Sequence, residues 1–326
     1  MQKKRIIRSL CLLLCAVLLC TSLCACTETP ISVSVTYVLG NGDEDITQTV
    51  FTALGIVMPP TPTRENYIFD GWYTDKALTR RYDIASALKR DTTLYAGWTF
   101  DYAAFINSAS DDFLPFSVQV NAYTYVADFF STKITSSQTG SGVIIYENET
   151  SYFILTNNHV TYLTANGNKS YKVKDAYENE YAATLHYSSA EYDLALLAIT
   201  KNSSNKPLSV VTLASEVAQN AEICCAVGTP GGVRNAITFG KITDTKSITV
   251  SDTDIRSSNV TFPVFIHTAP IDHGSSGGPL LDGLGHLIGI NYACEFSGDD
   301  FSEGYAIPLQ RVLEFLDMTQ IGIYFS

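Results

Sequence analysis

The sequence predicts a mostly β protein in two parts: a small β module over residues 31–99 and a larger all-β domain over residues 113–326 that ends in a helix. Three observations support this prediction. Short apolar or alternating runs separated by turn residues recur along the chain, as they do in barrels and sandwiches. A helical periodicity is present near the C-terminus. Both tryptophans fall in the first part, where a small domain needs large aromatics for its core.

The first module contains an alternating strand pattern, ISVSVTYVL, followed by a turn signal at NGD and later by the pieces FDGWYTD and TTLYAGW. These pieces resemble the Listeria–Bacteroides repeat, the internalin B-type repeat of bacterial surface proteins. The resemblance implies a small β-grasp-like module. We interpret Trp72 and Trp98 as core residues. A spacer role and contact with the cell wall or another surface protein both stay open.

Residues 100–112 contain the polar run SASDD and predict a linker. Beyond it, strands are predicted at seven runs, which are SGVIIY, SYFILT, YKVKDA, DLALLAI, EICCAVG, ITVSD and HLIGINYA. Leu309, Val312, Leu313 and Leu316 recur at helical spacing behind Pro308, a residue suited to a first turn. The second domain is therefore predicted to be all-β with a closing helix.

The composition limits the functions that the chain can have. The formal charge is −12, and the first 25 residues carry four basic and no acidic side chains, so the remainder carries −16. A chain this acidic is poorly suited to nucleic acid, which we exclude as a partner. Three of the eight cysteines follow residue 26, and we expect buried free thiols rather than a disulfide that leaves one unpaired. The spacing of cysteines and histidines predicts no metal site, and we expect no cofactor.

The N-terminus has the features of an export signal over residues 1–25. A basic segment, KKRIIR, precedes the apolar run LCLLLCAVLLC and several small residues. The stretch LCAC resembles a bacterial lipobox, which implies cleavage before Cys26 and attachment of a diacylglycerol to its thiol; Cys24 fits this pattern less well. We therefore expect a lipid anchor on the outer face of a bacterial cell membrane. An uncleaved membrane helix is the alternative, although the apolar run is short for one.

Three motifs of the second domain carry residue types that a hydrolase needs. His159 ends the run LTNNHV, Asp193 opens the strand DLALLAI, and Ser276 lies within DHGSSGGP. The order His, Asp, Ser is that of the chymotrypsin-fold proteases. A serine hydroxyl becomes nucleophilic when an imidazole takes its proton, and a carboxylate fixes the tautomer of that imidazole. Glycines allow a tight turn to aim backbone N–H groups at an oxyanion.

The motifs GSG, LTNNHV, YDLALLAI, GTPGG, GSSGGPL and GYAIPL follow one another as they do in the HtrA/DegP-like trypsin-fold serine proteases, which this domain resembles. The resemblance implies a chymotrypsin/trypsin-like double β-barrel with the site between the barrels. It also implies that Ser276 is the nucleophile, His159 the general base and Asp193 its orienting acid. The amides of Gly274 and Ser276 would form the oxyanion hole, and Ser275 would be a turn residue.

The resemblance places the substrate pocket at Ile271, Asp272, His273, Asn291 and Tyr292. The sequence IDHGSS departs here from the usual pattern of the family. Glutamate-specific relatives carry histidine at the position of Asn291, so we expect cleavage after aliphatic residues instead. Many HtrA proteases have a PDZ domain behind the protease domain. Because few residues follow Leu316, we expect none in this chain.

The sequence therefore predicts a surface-anchored, HtrA-like serine endopeptidase that acts on protein or peptide substrates, either misfolded exported proteins or particular surface proteins. The alternative is a catalytically inactive, protease-like lipoprotein that serves binding or adhesion.

Overall fold

The protein is represented by a computed structural model that describes residues 32–51, 60–86, 88–127, 132–220, 222–248 and 258–325. The chain divides into two compact units, residues 1–101 and 102–326. The predicted signal peptide and Cys26 lie outside the described residues, and so do four of the five residues of the predicted strand ITVSD. None of the helices in the described ranges has the length and apolar character needed to cross a membrane.

The first unit is a four-stranded mixed sheet. Its strands are β1 (Ser32–Val38), β2 (Ile46–Phe51), β3 (Tyr67–Tyr73) and β4 (Thr92–Phe100). They lie in the order β2-β1-β4-β3, with β1 parallel to β4 and the two outer pairs antiparallel. The alternation of ISVSVTYVL directs Val33, Val35 and Tyr37 into the core.

Both tryptophans pack against this core, as the sequence predicted. Trp72 is buried and lies 5.1 Å from the ring of Tyr37, centroid to centroid. Its indole N–H donates to the Pro60 carbonyl, and that of Trp98 donates to the Leu39 carbonyl. The tryptophans thus fill the core with their rings while each polar N–H keeps a partner.

The segment predicted as a linker over residues 100–112 contains a helix, α1 (Tyr102–Asp112), which belongs to the second unit. Phe105 explains the difference. Its side chain is only 1% exposed and packs against Phe113 and Phe239, the latter more than 130 residues along the chain. The polar composition of the segment predicted a linker because this tertiary contact is not readable from local sequence.

The second unit contains two closed barrels of six antiparallel strands each, which confirms the predicted double barrel. The first barrel is formed by β5 (Ser117–Ala127), β6 (Thr132–Glu147), β7 (Ser151–Thr156), β8 (Asn168–Lys174), β9 (Glu180–Ser189) and β10 (Leu194–Thr200). The second is formed by β11 (Ile223–Gly228), β12 (Ala236–Lys246), β13 (Val264–His267), β14 (Pro279–Asp282), β15 (Leu287–Ser297) and β16 (Asp300–Pro308). Short helices connect some of the strands. They include α2 (Asn158–Thr161), between β7 and β8, and a 3₁₀ helix at Pro230–Gly232, between β11 and β12.

The closing helix is α3 (Leu309–Asp317), which begins directly after Pro308 as predicted. It buries Val312 and Leu316, as the spacing indicated, and also Phe315, which was not predicted; Leu309 and Leu313 are only half-buried. Among the described residues, Cys224, Cys225 and Cys294 form no disulfide. Cys224 and Cys225 are buried, as expected, whereas Cys294 is half-buried. Burial raises the pKa of the Cys224 thiol to about 12, which keeps it protonated and unreactive.

His267, at the end of β13, is a buried histidine whose polar neighbours compensate its burial only in part. It is 0% exposed, and neither ring nitrogen makes a hydrogen bond to any residue that the structure describes. Burial therefore lowers the pKa of His267 to about 4, although the nearby Asn291 side chain and Ala269 backbone favour the charged form. The imidazole is neutral in the folded protein and must take up a proton only when the protein unfolds.

We predict that His267 makes the protein less stable in mild acid. Its contribution is fully present above pH 6.5, the unfolded value, and is lost progressively as the pH falls toward 4, because only the unfolded state binds the proton in that range. The total loss is about 3 kcal/mol, at 1.36 kcal/mol per pKa unit. Denaturant unfolding from pH 7 to pH 4 should show a shallower loss of stability in His267→Gln than in wild type. Replacement of the exposed His186 by Gln is the control, and identical slopes in all three proteins would contradict the prediction.

Candidate active site

The pairing of two strands in the first barrel brings His159 and Asp193 together. β7 and β10 are antiparallel neighbours in which Thr156 pairs with Ala195. The C-terminal end of β7 therefore lies beside the start of β10. His159 follows β7 in α2, and Asp193 immediately precedes β10. Two residues separated by 33 others in the chain are thus held at one edge of the barrel by ordinary sheet register.

Two hydrogen bonds join His159 and Asp193, one to the ring and one to the backbone of the histidine. His159 Nδ1 lies 2.8 Å from Asp193 Oδ2, and the His159 backbone N–H donates to Asp193 Oδ1 at 3.0 Å. Asp193 is 0% exposed and His159 is 9% exposed, so the pair is shielded from water. Because the carboxylate binds both the backbone and the ring, it fixes the imidazole in position and leaves Nε2 available for chemistry.

The backbone of Asp193 is also unusual and is fixed by its neighbours. Its φ angle is +49°, in the left-handed region, which aspartate tolerates better than most residues. Its carbonyl accepts hydrogen bonds from Asn157 Nδ2 at 2.8 Å and from the Asn158 N–H at 3.1 Å. The two asparagines that precede His159, at the start of α2, therefore hold Asp193 in place.

The serine-containing loop belongs to the second barrel and packs directly on this segment of the first. A Cβ atom at Gly140 would lie 2.9 Å from the Ser276 carbonyl oxygen and 2.6 Å from a methyl group of Val160. A Cβ atom at Gly277 would lie 3.0 Å from the Asn157 nitrogen. Glycine at both positions lets the loop approach the residues on either side of His159.

The loop has the backbone form of an oxyanion hole. Gly274 has a φ of +96°, and a Cβ atom there would lie 2.4 Å from the Thr229 carbonyl oxygen, so glycine is required. The preceding carbonyl, of His273, accepts a hydrogen bond from the Gly231 N–H at 2.8 Å. Because the N–H and C=O of a trans peptide point in opposite directions, the Gly274 N–H faces away from Gly231. Within the described ranges, the N–H groups of Gly274 and Ser276 donate no hydrogen bond.

The two serines of the loop have different environments. Ser275 is 3% exposed, and its N–H donates to the Asp272 carbonyl while its Oγ accepts from the Asp272 N–H, which closes a tight turn. Ser276 is half-buried, and its Oγ donates to the Tyr292 carbonyl at 3.4 Å. In the described part of the chain, no hydrogen bond joins Ser276 Oγ to His159. Ser276 is thus the more accessible of the two hydroxyls.

The residues predicted to contact substrate fall into two groups. The side chains of Ile271, Asn291 and Tyr292 are buried, and Ile271 is part of the apolar core of the second barrel. Asn291 Nδ2 donates to the carbonyls of Gly278 and Pro279 and so supports the loop. Asp272 is half-buried and His273 is exposed, so these two side chains remain open to a ligand.

The sequence did not single out Asn157 and Gly231, which support the site through Asp193 and His273 respectively. A signal was present for each. Asn157 stands in the pair of asparagines before His159, and Gly231 stands in the motif GTPGG. Their roles depend on which backbone group faces them, and that is decided only when two distant segments are brought together.

The comparisons with known proteins agree with this geometry. Residues 140–290 match the family model of the trypsin-like peptidase domain, and residues 34–97 match that of the Listeria–Bacteroides repeat domain. Among curated relatives, the chain is 31% identical over 192 residues to mitochondrial serine protease HTRA2 of Drosophila virilis. This match covers 58% of the chain and 42% of the relative.

A second relative is serine protease HTRA3 of Rattus norvegicus, which is 33% identical over 189 residues, covering 56% of the chain and 37% of the relative. The chain thus spans less than half the length of these curated relatives. Among solved structures, the HtrA-type protease AlgW with tripeptide matches at 31% identity and a TM-score of 0.52, over 67% of this chain and 64% of that one. The active form of the Rv3671c protease of M. tuberculosis shares the fold at 24% identity and a TM-score of 0.52, over 68% of this chain and 87% of that one.

The double barrel, the motif matches and the sequence relatives lead to one conclusion. The chain carries a Listeria–Bacteroides repeat domain followed by a trypsin-like peptidase domain, and the second of these domains is similar to the HtrA serine proteases.

Proposed function

We propose that the chain is a serine endopeptidase that hydrolyses peptide bonds through an acyl-enzyme on Ser276. The observation that carries this proposal is the buried His159–Asp193 pair, with 2.8 Å between Nδ1 and Oδ2, beside a loop that presents a serine and two unbonded amides. Each part alone has structural explanations. Together they provide a base, its orienting acid, a nucleophile and an oxyanion site, which is the set that acyl transfer requires.

In the first half of the reaction, the hydroxyl of Ser276 turns from the Tyr292 carbonyl toward His159 Nε2. Oγ attacks the carbonyl carbon of the scissile peptide bond while its proton passes to Nε2. The carbonyl electron pair moves onto oxygen, and the resulting oxyanion accepts hydrogen bonds from the N–H groups of Gly274 and Ser276. Asp193 stabilises the imidazolium through Nδ1–H without becoming protonated itself.

In the second half, the imidazolium gives its proton to the leaving amine, the C–N bond breaks, and the acyl group stays on Oγ as an ester. Water then attacks this ester, His159 takes a proton from the water, and a second oxyanion forms in the same hole. Its collapse returns the proton to Ser276 Oγ and releases the carboxylic acid product. Neither half of the reaction consumes a cofactor, because the imidazole handles every proton.

The substrates that we propose are exported or surface proteins, reached from a lipid anchor on Cys26. The support for the anchor is the sequence of the N-terminus, where a basic segment, an apolar run and the LCAC stretch precede Cys26. The proposed specificity is for aliphatic residues before the cleaved bond. Backbone groups around the buried Asn291 and Tyr292, with the open side chains of Asp272 and His273, would line the substrate cleft.

Replacing the proposed nucleophile should abolish proteolysis. We expect the wild-type chain to hydrolyse casein and Ser276→Ala to lose about 10⁶-fold in kcat, because a triad serine has no substitute. Ser275→Ala is the matched control and should keep most of the activity, since that hydroxyl serves only the turn with Asp272. Activity in Ser276→Ala, or loss confined to Ser275→Ala, would overturn the assignment.

A fluorophosphonate probe tests for the nucleophile without requiring a substrate. Ser276 Oγ should form a bond to phosphorus and displace fluoride, with the hydroxyl proton passing to His159. Labelling without casein hydrolysis would indicate a protease that needs an activator or a different substrate. A wild-type chain that is neither labelled nor active is the outcome expected of the protease-like binding protein instead.

Changing the orienting acid should slow catalysis while the fold stays intact. Asp193→Asn retains a residue that tolerates positive φ and can still bond to Nδ1, but it favours the wrong imidazole tautomer. We expect kcat to fall about 10⁴-fold. Steady-state kinetics on a peptide substrate, with thermal unfolding to verify the fold, measure this effect. A fall of less than tenfold would show that Asp193 is not the orienting acid.

The anchor is tested by membrane fractionation of the full chain. We expect wild type in the membrane fraction and Cys26→Ser in the soluble fraction, because lipid attachment requires the thiol. Cys24→Ser is the matched control and should stay in the membrane. Unchanged membrane association of Cys26→Ser would refute the lipid anchor and favour an uncleaved membrane helix.

A further inference from the structure

Ser141 lies in strand β6 of the first barrel, yet its contacts converge on the catalytic loop of the second. The residue is 1% exposed. Its Oγ donates to the Gly274 carbonyl at 2.7 Å and accepts from the Thr229 N–H at 3.0 Å. Its backbone N–H donates to the Ser276 carbonyl at 2.7 Å. Three hydrogen bonds from this one residue therefore cross from one barrel to the other.

These bonds are placed so that they fix the two amides of the oxyanion hole. Ser141 holds the carbonyls of Gly274 and Ser276, the same two residues whose N–H groups form the proposed oxyanion hole. It also holds Thr229, whose carbonyl oxygen would lie 2.4 Å from a Cβ at Gly274 and so packs on that residue. A shift of any of these groups would turn the N–H donors away from the oxyanion.

The position of Ser141 allows little choice of side chain. The neighbouring Gly228 leaves room for the hydroxyl, because a Cβ atom at Gly228 would lie only 3.0 Å from Ser141 Oγ. Alanine at position 141 would fit, but it would remove the buried hydroxyl that bonds both the Gly274 carbonyl and the Thr229 N–H. An unsatisfied buried polar group is costly, and the exposed side of the loop offers water as an alternative. We expect the loop to move when the hydroxyl is removed.

We propose that Ser141 is a positioning residue that holds the oxyanion hole open through its hydroxyl, an inference that rests on the proteolytic function proposed above. The residue touches neither substrate nor the reacting atoms. It acts by keeping the N–H groups of Gly274 and Ser276 aimed at the place where charge develops. Its effect should therefore fall on the transition state rather than on substrate binding.

The test compares Ser141→Ala with Tyr152→Phe in the full chain. Tyr152 is the matched control because its buried hydroxyl also accepts one backbone N–H and donates to one carbonyl, both of Leu208, away from the catalytic loop. We expect Ser141→Ala to lower kcat for a peptide substrate by about 10- to 100-fold with KM within about twofold. Tyr152→Phe should keep kcat within about twofold while losing a similar amount of thermal stability.

A peptide boronic acid separates a positioning role from a general structural one. Its tetrahedral adduct with Ser276 Oγ places an oxygen in the hole, so its affinity should fall by the same factor as kcat/KM in Ser141→Ala. Affinity for the same peptide without its boronic acid group, which places no oxygen in the hole, should be unchanged. An unchanged kcat, a rise in KM alone, or equal losses for the peptide with and without the boronic acid group would each overturn the proposal.

Two further measurements cover failure of the variant or of the activity. If Ser141→Ala does not fold, Ser141→Cys retains a weaker donor and acceptor and should show a smaller loss of kcat; full activity there would refute the role. If the wild-type chain neither hydrolyses a substrate nor takes the fluorophosphonate label, the proposed function fails, but the role of Ser141 is still decided by crystal structures. An oxyanion loop in Ser141→Ala that superimposes on that of wild type would overturn the inference.

Discussion

The site depends on the buried carboxylate of Asp193 more than on any other group. It is 0% exposed and bonds to both the ring and the backbone of His159. A buried carboxylate is costly unless its oxygens are satisfied, so the same bonds that make burial tolerable also orient the imidazole. Asp193 adopts a left-handed backbone conformation, and the side chain of Asn157 donates a hydrogen bond to its carbonyl, which holds the residue in place.

The Ser276 loop of the second barrel has to lie beside the His159–Asp193 pair of the first. The backbones of the two barrels approach each other closely there. Gly140 and Gly277 are the points where the barrels meet without side chains between them. Ser141, between two glycines of β6, adds hydrogen bonds at the same place. The glycine-rich motifs of the two barrels are therefore parts of one interface. The GSG run, residues 140–142, forms the contact surface of the first barrel, and the GSSGG run, residues 274–278 of the second barrel, packs against it.

The sequence predicted much of this because each motif has a local chemical meaning. The His, Asp, Ser order and the closing helix could be predicted from residue types and spacing, and the repeat module from its resemblance to a known repeat. The periodicity did not reveal every strand. β9 was missed because it is only partly buried and alternates weakly, whereas β13 and β14 are four residues long and buried throughout, so they show no alternation. The helix α1 was hidden because its polar composition resembles a linker and its apolar contact is distant in the chain.

The sequence by itself determined the chemical groups of the site: a histidine, an aspartate, a serine and glycines that permit positive φ. The tertiary structure alone decided which backbone amides and carbonyls these groups meet. Ser275 and Ser276 are identical in type and adjacent in the chain, yet one closes a turn and the other lies half-exposed near Tyr292. The reason is physical. The hydrogen bonds between His273 and Gly231 and between Ser141 and Gly274 join segments more than 40 residues apart. Only closure of both barrels brings these donors and acceptors within hydrogen-bonding distance.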